Sequence, residues 1–142
     1  MPQSTVPGEK TAATQPFQTK PAPFEIQGVR EEDLIDLTPE LKRQALTLIE
    51  RFKYGPLYTP PSEFGTITMP SVGGGANWAG GAWDPETGTY YVTTLRMPSV
   101  ITLFKPSRVT SNDTYAGRFT FLFGPRTCRS SSRRGRASSP ST

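Results

Sequence analysis

The chain has 142 residues, enough for one domain of ordinary size, but only 34% are hydrophobic and 15 are prolines, so much of it cannot contribute to a core. It contains no histidine and a single cysteine, Cys128, which excludes Ser-His-Asp and Cys-His catalysis, the usual zinc ligand and a disulfide framework. The net charge of +4 comes from the C-terminus: residues 126–142 hold five of the 16 basic residues and no acid, and removing those five leaves 11 basic against 12 acidic residues, a net charge of −1.

Residues 1–30 are predicted to form an extended, proline-rich strap. Prolines between Thr14 and Phe24 fix φ and push each preceding residue out of the helical region. The side chains of Phe17 and Phe24 favour a strap that lies on another surface; a ligand for an SH3 or WW domain is the alternative, although the spacing matches no clean recognition motif. Because the N-terminus lacks the basic-then-apolar order of a signal peptide and no run of about 18 apolar residues exists, the chain as written is predicted to stay in the cytoplasm.

Residues 31–55 are predicted to be an inserted helical segment. Thr38 is suited to cap a helix, Pro39 to occupy its first position and Gly55 to end it. The acidic lead-in before Thr38 predicts either one helical turn or a loop. The helix would present one apolar stripe to a sheet, at the spacing of Leu41, Ala45, Leu48, Ile49 and Phe52.

Residues 56–124 change to the pattern of short strands. Their β-branched and aromatic residues favour strands, and the Asp84-Pro-Glu-Thr-Gly88 segment predicts a turn between two of them. The predicted strands lie within residues 64–70, 78–83, 89–95, 100–104 and 118–123.

The stretch Gly73-Gly-Gly-Ala-Asn-Trp78 is the candidate functional motif. It lacks the Gly-Lys-Ser/Thr end of a Walker loop, and a strand rather than a helix follows it, so a nucleotide-binding loop is not favoured. Glycines allow a backbone to approach a large, flat group, and Asn77 offers both amide donors and an acceptor to such a ligand. From residue types alone, a cofactor contact and a glycine-rich strand in a tightly packed sheet remain equally open.

The order of several motifs resembles the pyrroloquinoline-quinone (PQQ)-dependent dehydrogenases, and most closely the chains similar to quinoprotein glucose dehydrogenase. Gly74-Gly-Ala-Asn-Trp78, Asp84-Pro-Glu-Thr-Gly88 and Tyr90-Tyr-Val92 match the family's Gly-Gly-x-Asn-Trp, Asp-Pro-x-Thr-Gly and Tyr-Val motifs. The resemblance covers residues 5–124 and continues upstream in Val6-Pro-Gly-Glu9, Thr14-Gln-Pro-Phe17, Thr19-Lys-Pro-Ala-Pro-Phe24, Asp33-Leu-Ile-Asp36 and Gly55-Pro-Leu-Tyr-Thr-Pro-Pro61.

The resemblance implies an all-β fold: a fragment of one to two blades of an eight-bladed β-propeller, with one inserted α-helix. It implies PQQ as cofactor, with Asn77 as a quinone contact and Trp78 and Gly75 as neighbours that shape the approach. Trp83 stands where the family often has Phe or Tyr, and it is interpreted as blade packing. The family's calcium ligands, catalytic aspartate and the aromatic floor under the quinone match no residue here, so no catalytic or metal-binding residue is assigned.

In function, the resemblance implies part of an oxidoreductase that oxidises a sugar or alcohol CH–OH group in the periplasm and passes electrons to an acceptor. One cofactor contact without a recognisable base or metal site predicts that this chain is inactive alone. Association with a membrane is expected only through parts that this chain does not contain.

The Arg/Ser-rich region 125–142 is predicted to be disordered or read out of frame. Arg, Ser, Pro, Ala and Gly are the residues that a GC-rich gene gives in a wrong frame, and shifting the frame of plausible codons restores a strand similar to the family's. The alternative function is a small β-rich binding module whose basic tail contacts nucleic acid through phosphates. The tail has neither aromatic residues nor a folded recognition module, so specific nucleic-acid binding is not expected.

Overall fold

The computed structural model describes residues 1–20, 22–76 and 80–124. In these ranges the chain forms one α-helix and five short antiparallel strands. The helix α1 spans Pro39–Ile49, and a short 3₁₀ helix precedes it at Glu31–Asp33. The strands are β1 (Thr66–Thr68), β2 (Gly81–Asp84), β3 (Thr89–Val92), β4 (Ser99–Phe104) and β5 (Ala116–Phe121).

Helix α1 begins as the sequence predicts. Pro39 occupies the first turn, and the Oγ1 atom of Thr38 accepts a hydrogen bond from the backbone N–H of Leu41 at 3.2 Å. This cap satisfies one of the donors that a helix leaves without an intrahelical partner.

The helix ends earlier than expected, at Ile49 rather than near Gly55. Lys53 instead pairs with strand β1: its N–H donates to the carbonyl of Gly65 at 2.9 Å, and its carbonyl accepts from the N–H of Ile67 at 2.8 Å. A residue whose N–H and carbonyl both pair with a strand cannot also make the hydrogen bonds of a helix. This tertiary pairing therefore ends the helix before the predicted stop at Gly55.

Two separate sheets follow. Strand β4 lies in the middle of the order β1-β4-β5, with Ile67 opposite Val100 and Ile101 opposite Phe119. Strands β2 and β3 form a hairpin whose residues Trp83 and Tyr90 lie opposite each other. The hairpin is inserted in the chain between β1 and β4, so the two paired strands β1 and β4 are not consecutive in sequence.

The core lies between α1 and the sheet of β1 and β4. Ala45 and Ile49 from the helix pack there, as the predicted stripe requires, whereas the partly buried Leu46 rather than Leu48 adds to this contact. The buried hydrophobic residues are Val29, Leu34, Ile35, Ala45, Ile49, Ile67 and Val100.

The proline-rich strap is attached to this core near its C-terminal end. Val29 donates its N–H to the carbonyl of Gly55, and Gly28 donates to the carbonyl of Met69, both at 2.8 Å. The rings of Phe17 and Phe24 are exposed within this chain. The strap therefore crosses the start of the loop that follows β1, and this loop leads to the candidate site.

Candidate cofactor site

The loop after β1 makes a tight turn at Ser71–Gly74. The Ser71 side chain is buried, and its Oγ accepts a hydrogen bond from the N–H of Gly73 at 3.2 Å. The N–H of Gly74 donates to the carbonyl of Ser71 at 2.8 Å, and Gly74 has a φ of +85°. Since L-residues with side chains rarely adopt this left-handed conformation, glycine is required where the loop reverses.

Gly75 is held on both sides by close contacts. A Cβ at this position would lie 3.2 Å from Pro70 Cγ and 3.9 Å from Glu25 Cγ, and its carbonyl accepts the N–H of Leu95 at 2.8 Å. These contacts give Gly75 a packing reason for lacking a side chain. A role in shaping the approach of a quinone stays a prediction.

A largely buried ion pair lies against this loop. The Nε of Arg96 donates to Oε1 of Glu25 at 2.5 Å, and the two side chains are only 19% and 8% exposed. The second carboxylate oxygen, Oε2 of Glu25, is buried without a hydrogen-bond partner among the residues that the structure describes. A buried acceptor left in this state costs free energy, so this oxygen needs an explanation.

Sequence reasoning did not identify Glu25 or Arg96. The two residues are 71 positions apart, and neither belongs to a motif with a fixed spacing. The only available signal was that each is a charged residue in an otherwise weakly charged segment, which is too common to single out a pair.

The predicted quinone contact Asn77 and its neighbour Trp78 lie outside the described residues. The glycines that flank them differ: Gly75 is packed against Pro70, and a Cβ at Gly81 would overlap the Tyr90 hydroxyl, whereas among the described residues a Cβ at Gly73 would meet only Ser71 Oγ, at 3.4 Å, and one at Gly80 would meet nothing within 4 Å. Such uncrowded backbone fits the approach of a planar ring such as PQQ. The assignment of Asn77, Trp78 and Gly75 to cofactor binding remains a prediction.

The hairpin β2–β3 that follows the loop carries exposed aromatic side chains on both of its faces. Trp83 is 60% exposed, and Tyr90 and Tyr91 are each 59% exposed. Trp83 was interpreted as blade packing; within this chain its ring lies near the hairpin turn, where a Cβ at Gly88 would be 3.9 Å from it. Packing against a further blade stays a prediction.

The carboxylates of the hairpin turn and the following loop serve local structure. Asp84 Oδ1 accepts the N–H of Glu86 at 3.0 Å, and Oδ2 accepts the hydroxyl of Thr87 at 2.6 Å. The hydrogen bond from Thr87, followed by that from the Glu86 N–H, holds the pKa of Asp84 below its ordinary value. Asp113 accepts the hydroxyl of Ser111 at 2.8 Å. Among the described residues, no three His, Cys, Asp or Glu side chains group closely enough to hold a metal ion.

Short antiparallel strands in two separate sheets are typical of all-β architectures such as sandwiches, barrels and propellers. A comparison with known families matches residues 1–130 to the one described as "PQQ: Glucose/ethanol/alcohol dehydrogenase, beta-propeller domain". The chain belongs to this family, and its strands are β-propeller material of a quinoprotein. The match confirms the fold class and the family that the motifs predicted.

Two curated relatives agree with this assignment. One is the quinate/shikimate dehydrogenase (quinone) of Acinetobacter baylyi, 29% identical over 100 residues, which are 70% of this chain and 12% of the relative. The other is the glycerol dehydrogenase large subunit of Gluconobacter oxydans, 27% identical over 84 residues, which are 58% of this chain and 11% of the relative. The chain thus spans about an eighth of the length of these relatives. No solved structure matches it significantly.

No helix among the described residues is both long and apolar enough to cross a lipid bilayer.

Proposed function

We propose that this chain is part of a PQQ-dependent dehydrogenase that oxidises a CH–OH group of a sugar or alcohol, and that it contributes one wall of the cofactor site. The observation that carries the proposal is the family match over residues 1–130, which includes the glycine loop and its Asn77. The relatives are named for quinate or shikimate and for glycerol, and each of these compounds carries alcohol groups.

The proposed role of the loop is to bring one amide to the edge of a flat ring. PQQ, when bound, supplies a quinone that accepts the hydride of the substrate. Asn77 would donate a hydrogen bond to this ring, because its amide N–H groups complement carbonyl and carboxylate oxygens. Gly73 and Gly80, unlike Gly75 and Gly81, have free space beside their backbone among the described residues, and Trp78 would shape the approach from one side.

The base and the calcium ligands of the complete enzyme are proposed to come from other blades. A propeller blade buries its two faces only against neighbouring blades, and the relatives are about eight times longer than the matched segment. We therefore propose that this chain does not turn over substrate alone, and that the complete enzyme works in the periplasm, where electrons pass to an acceptor.

Quinone binding by the Asn77→Ala variant tests the proposal. Loss of one amide that hydrogen-bonds to a charged or strongly polar ligand should weaken PQQ binding about tenfold, measured by quenching of intrinsic tryptophan fluorescence. The matched control is Asn112→Ala, because Asn112 is the other asparagine of the chain and is exposed in a separate loop.

Three results would contradict the proposal. These are an unmodified chain that binds no PQQ, an Asn77→Ala chain that binds it as tightly as the unmodified chain does, and equal weakening by both substitutions.

A further inference from the structure

Three segments that are distant in sequence meet at the base of the glycine loop. The strap contributes Glu25, the loop contributes Gly75, and the segment after β3 contributes Leu95 and Arg96. The Leu95 N–H binds the carbonyl of Gly75 at 2.8 Å, and the next residue, Arg96, forms the ion pair with Glu25. Glu25 also approaches Gly75 directly, since a Cβ on Gly75 would lie 3.9 Å from Glu25 Cγ.

The ion pair is poorly suited to a purely stabilising role. The Glu25 side chain is 8% exposed, and its Oε2 atom is buried without a hydrogen-bond partner in the described part of the chain. A buried ion pair offsets the loss of hydration only when its geometry is good and its remaining oxygens are also satisfied. Replacing such a pair by apolar side chains is often neutral or stabilising, so net stabilisation alone is a weak explanation for it.

The position of the pair indicates what it fixes. Gly75 precedes Asn77 by two residues, so any displacement of Gly75 moves the start of the segment that carries the predicted quinone contact. The pair connects two segments at this loop, because Glu25 lies in the strap and Arg96 directly follows Leu95, whose N–H binds the Gly75 carbonyl.

We propose that Glu25 and Arg96 are positioning residues, which lock the strap, the glycine loop and the segment after β3 together and so set where Asn77 is presented to the quinone. This inference rests on the proposed function for its purpose. The lock, meaning the Glu25–Arg96 ion pair and the Leu95–Gly75 hydrogen bond, is a property of the chain without cofactor. A metal site is a poorer explanation, because the Glu25 carboxylate is already paired with a guanidinium group and the described residues form no metal-binding cluster.

Hydrogen exchange of the Leu95 amide in the Glu25→Gln variant, without PQQ, tests the lock. We expect the protection factor of the Leu95 amide to fall about tenfold, because loss of the ion pair should make local opening of this segment easier. Protection of the Ile67 amide, which binds Lys53 in the core at 2.8 Å, should stay unchanged. Glu40→Gln is the matched control, since Glu40 also pairs with an arginine, Arg43, but on the exposed face of α1.

The inference is wrong if Leu95 keeps its protection in Glu25→Gln, or if Leu95 and Ile67 lose protection together, which would indicate a general loss of stability. If Glu25→Gln does not fold, the double variant Glu25→Leu/Arg96→Met carries the test, because it leaves no buried charge unpaired. We expect this variant to melt at or above the temperature of the unmodified chain and still to lose Leu95 protection. Melting below that temperature, or full Leu95 protection, would overturn the positioning role.

PQQ titration separates this inference from the proposed function. With a working lock and a working site, Glu25→Gln should bind PQQ about tenfold more weakly, which corresponds to about 1.4 kcal/mol, while Glu40→Gln binds it normally. If the unmodified chain binds no PQQ, the proposed function fails, but the Leu95 result still decides whether the lock exists.

Discussion

At the residue scale, Gly28 shows how one backbone position attaches the strap to the body. It has a φ of +85°, and its N–H binds the carbonyl of Met69 at 2.8 Å. A Cβ at this position would lie 2.6 Å from the Gly55 carbonyl oxygen and 2.7 Å from the Pro56 carbonyl carbon. Both atoms belong to the backbone, so neither can move aside without displacing the chain.

We therefore expect Gly28→Ala to destabilise the fold strongly. The left-handed conformation costs an alanine about 1–2 kcal/mol, and the backbone overlap should add about 1–3 kcal/mol, measured as the free energy of unfolding in urea. Gly8→Ala is the matched control, because Gly8 has a φ of +87° but open space around a Cβ. Equal effects of the two substitutions would show that the close approach to Gly55 is not important.

At the element scale, the turn between β2 and β3 is organised by one carboxylate. Asp84 accepts hydrogen bonds from both the Thr87 hydroxyl and the Glu86 N–H, and these lower the pKa of its carboxyl group. Because the folded-state pKa lies below the unfolded one, the contribution of this group to stability is present above the unfolded pKa. It is lost as the pH falls through the folded pKa.

The Thr87→Val substitution tests this turn. It removes the larger cause of the pKa shift and keeps the Glu86 N–H, so we expect the pKa of Asp84 to rise part of the way toward its ordinary value. The measurement is an NMR titration of the Asp84 carboxyl carbon, with Thr114→Val as a control at an exposed threonine away from the turn. An unchanged Asp84 titration in Thr87→Val would contradict the assigned cause.

The elements were predictable where their signals are local. The cap at Thr38, the turn at Asp84–Gly88 and all five strands follow from residue preferences within a few positions. The end of α1 was not predictable, because Lys53 is removed from the helix by pairing with β1. The Glu25–Arg96 pair was missed for the same reason, since contacts across 71 residues leave no periodic pattern in the sequence.

At the scale of the whole molecule, burial is uneven. The core gathers between α1 and the strands β1 and β4, whereas the hairpin exposes Trp83, Tyr90 and Tyr91. Exposed aromatic groups of this kind mark a surface that packs against another part of a protein. We predict that neighbouring blades cover them, because the family to which the chain belongs forms propellers and the curated relatives are about eight times longer than the matched segment.

We expect the purified 142-residue chain to show no dehydrogenase activity. In the presence of PQQ, calcium and either an aldose or a polyol, it should reduce an artificial electron-acceptor dye no faster than a solution without protein. The reason is that one wall of a site cannot exclude water or supply every catalytic group. A full-length quinoprotein of the same family, assayed in parallel, controls for the reagents. Dye reduction by the chain that depends on PQQ would overturn this expectation.

The two edges of the three-stranded sheet differ, and this difference determines at which edge a further strand can be added. Beside β1, Lys53 already occupies part of the border through its two hydrogen bonds, whereas β5 is the outermost strand of the order β1-β4-β5. Among the described residues, the N–H and C=O groups of β5 that point away from β4, about half of those in its six residues, have no strand partner and can pair with an incoming extended segment. A fourth strand that completes the blade should pair with this edge. In its absence, we expect two copies of this chain to associate through the same edge.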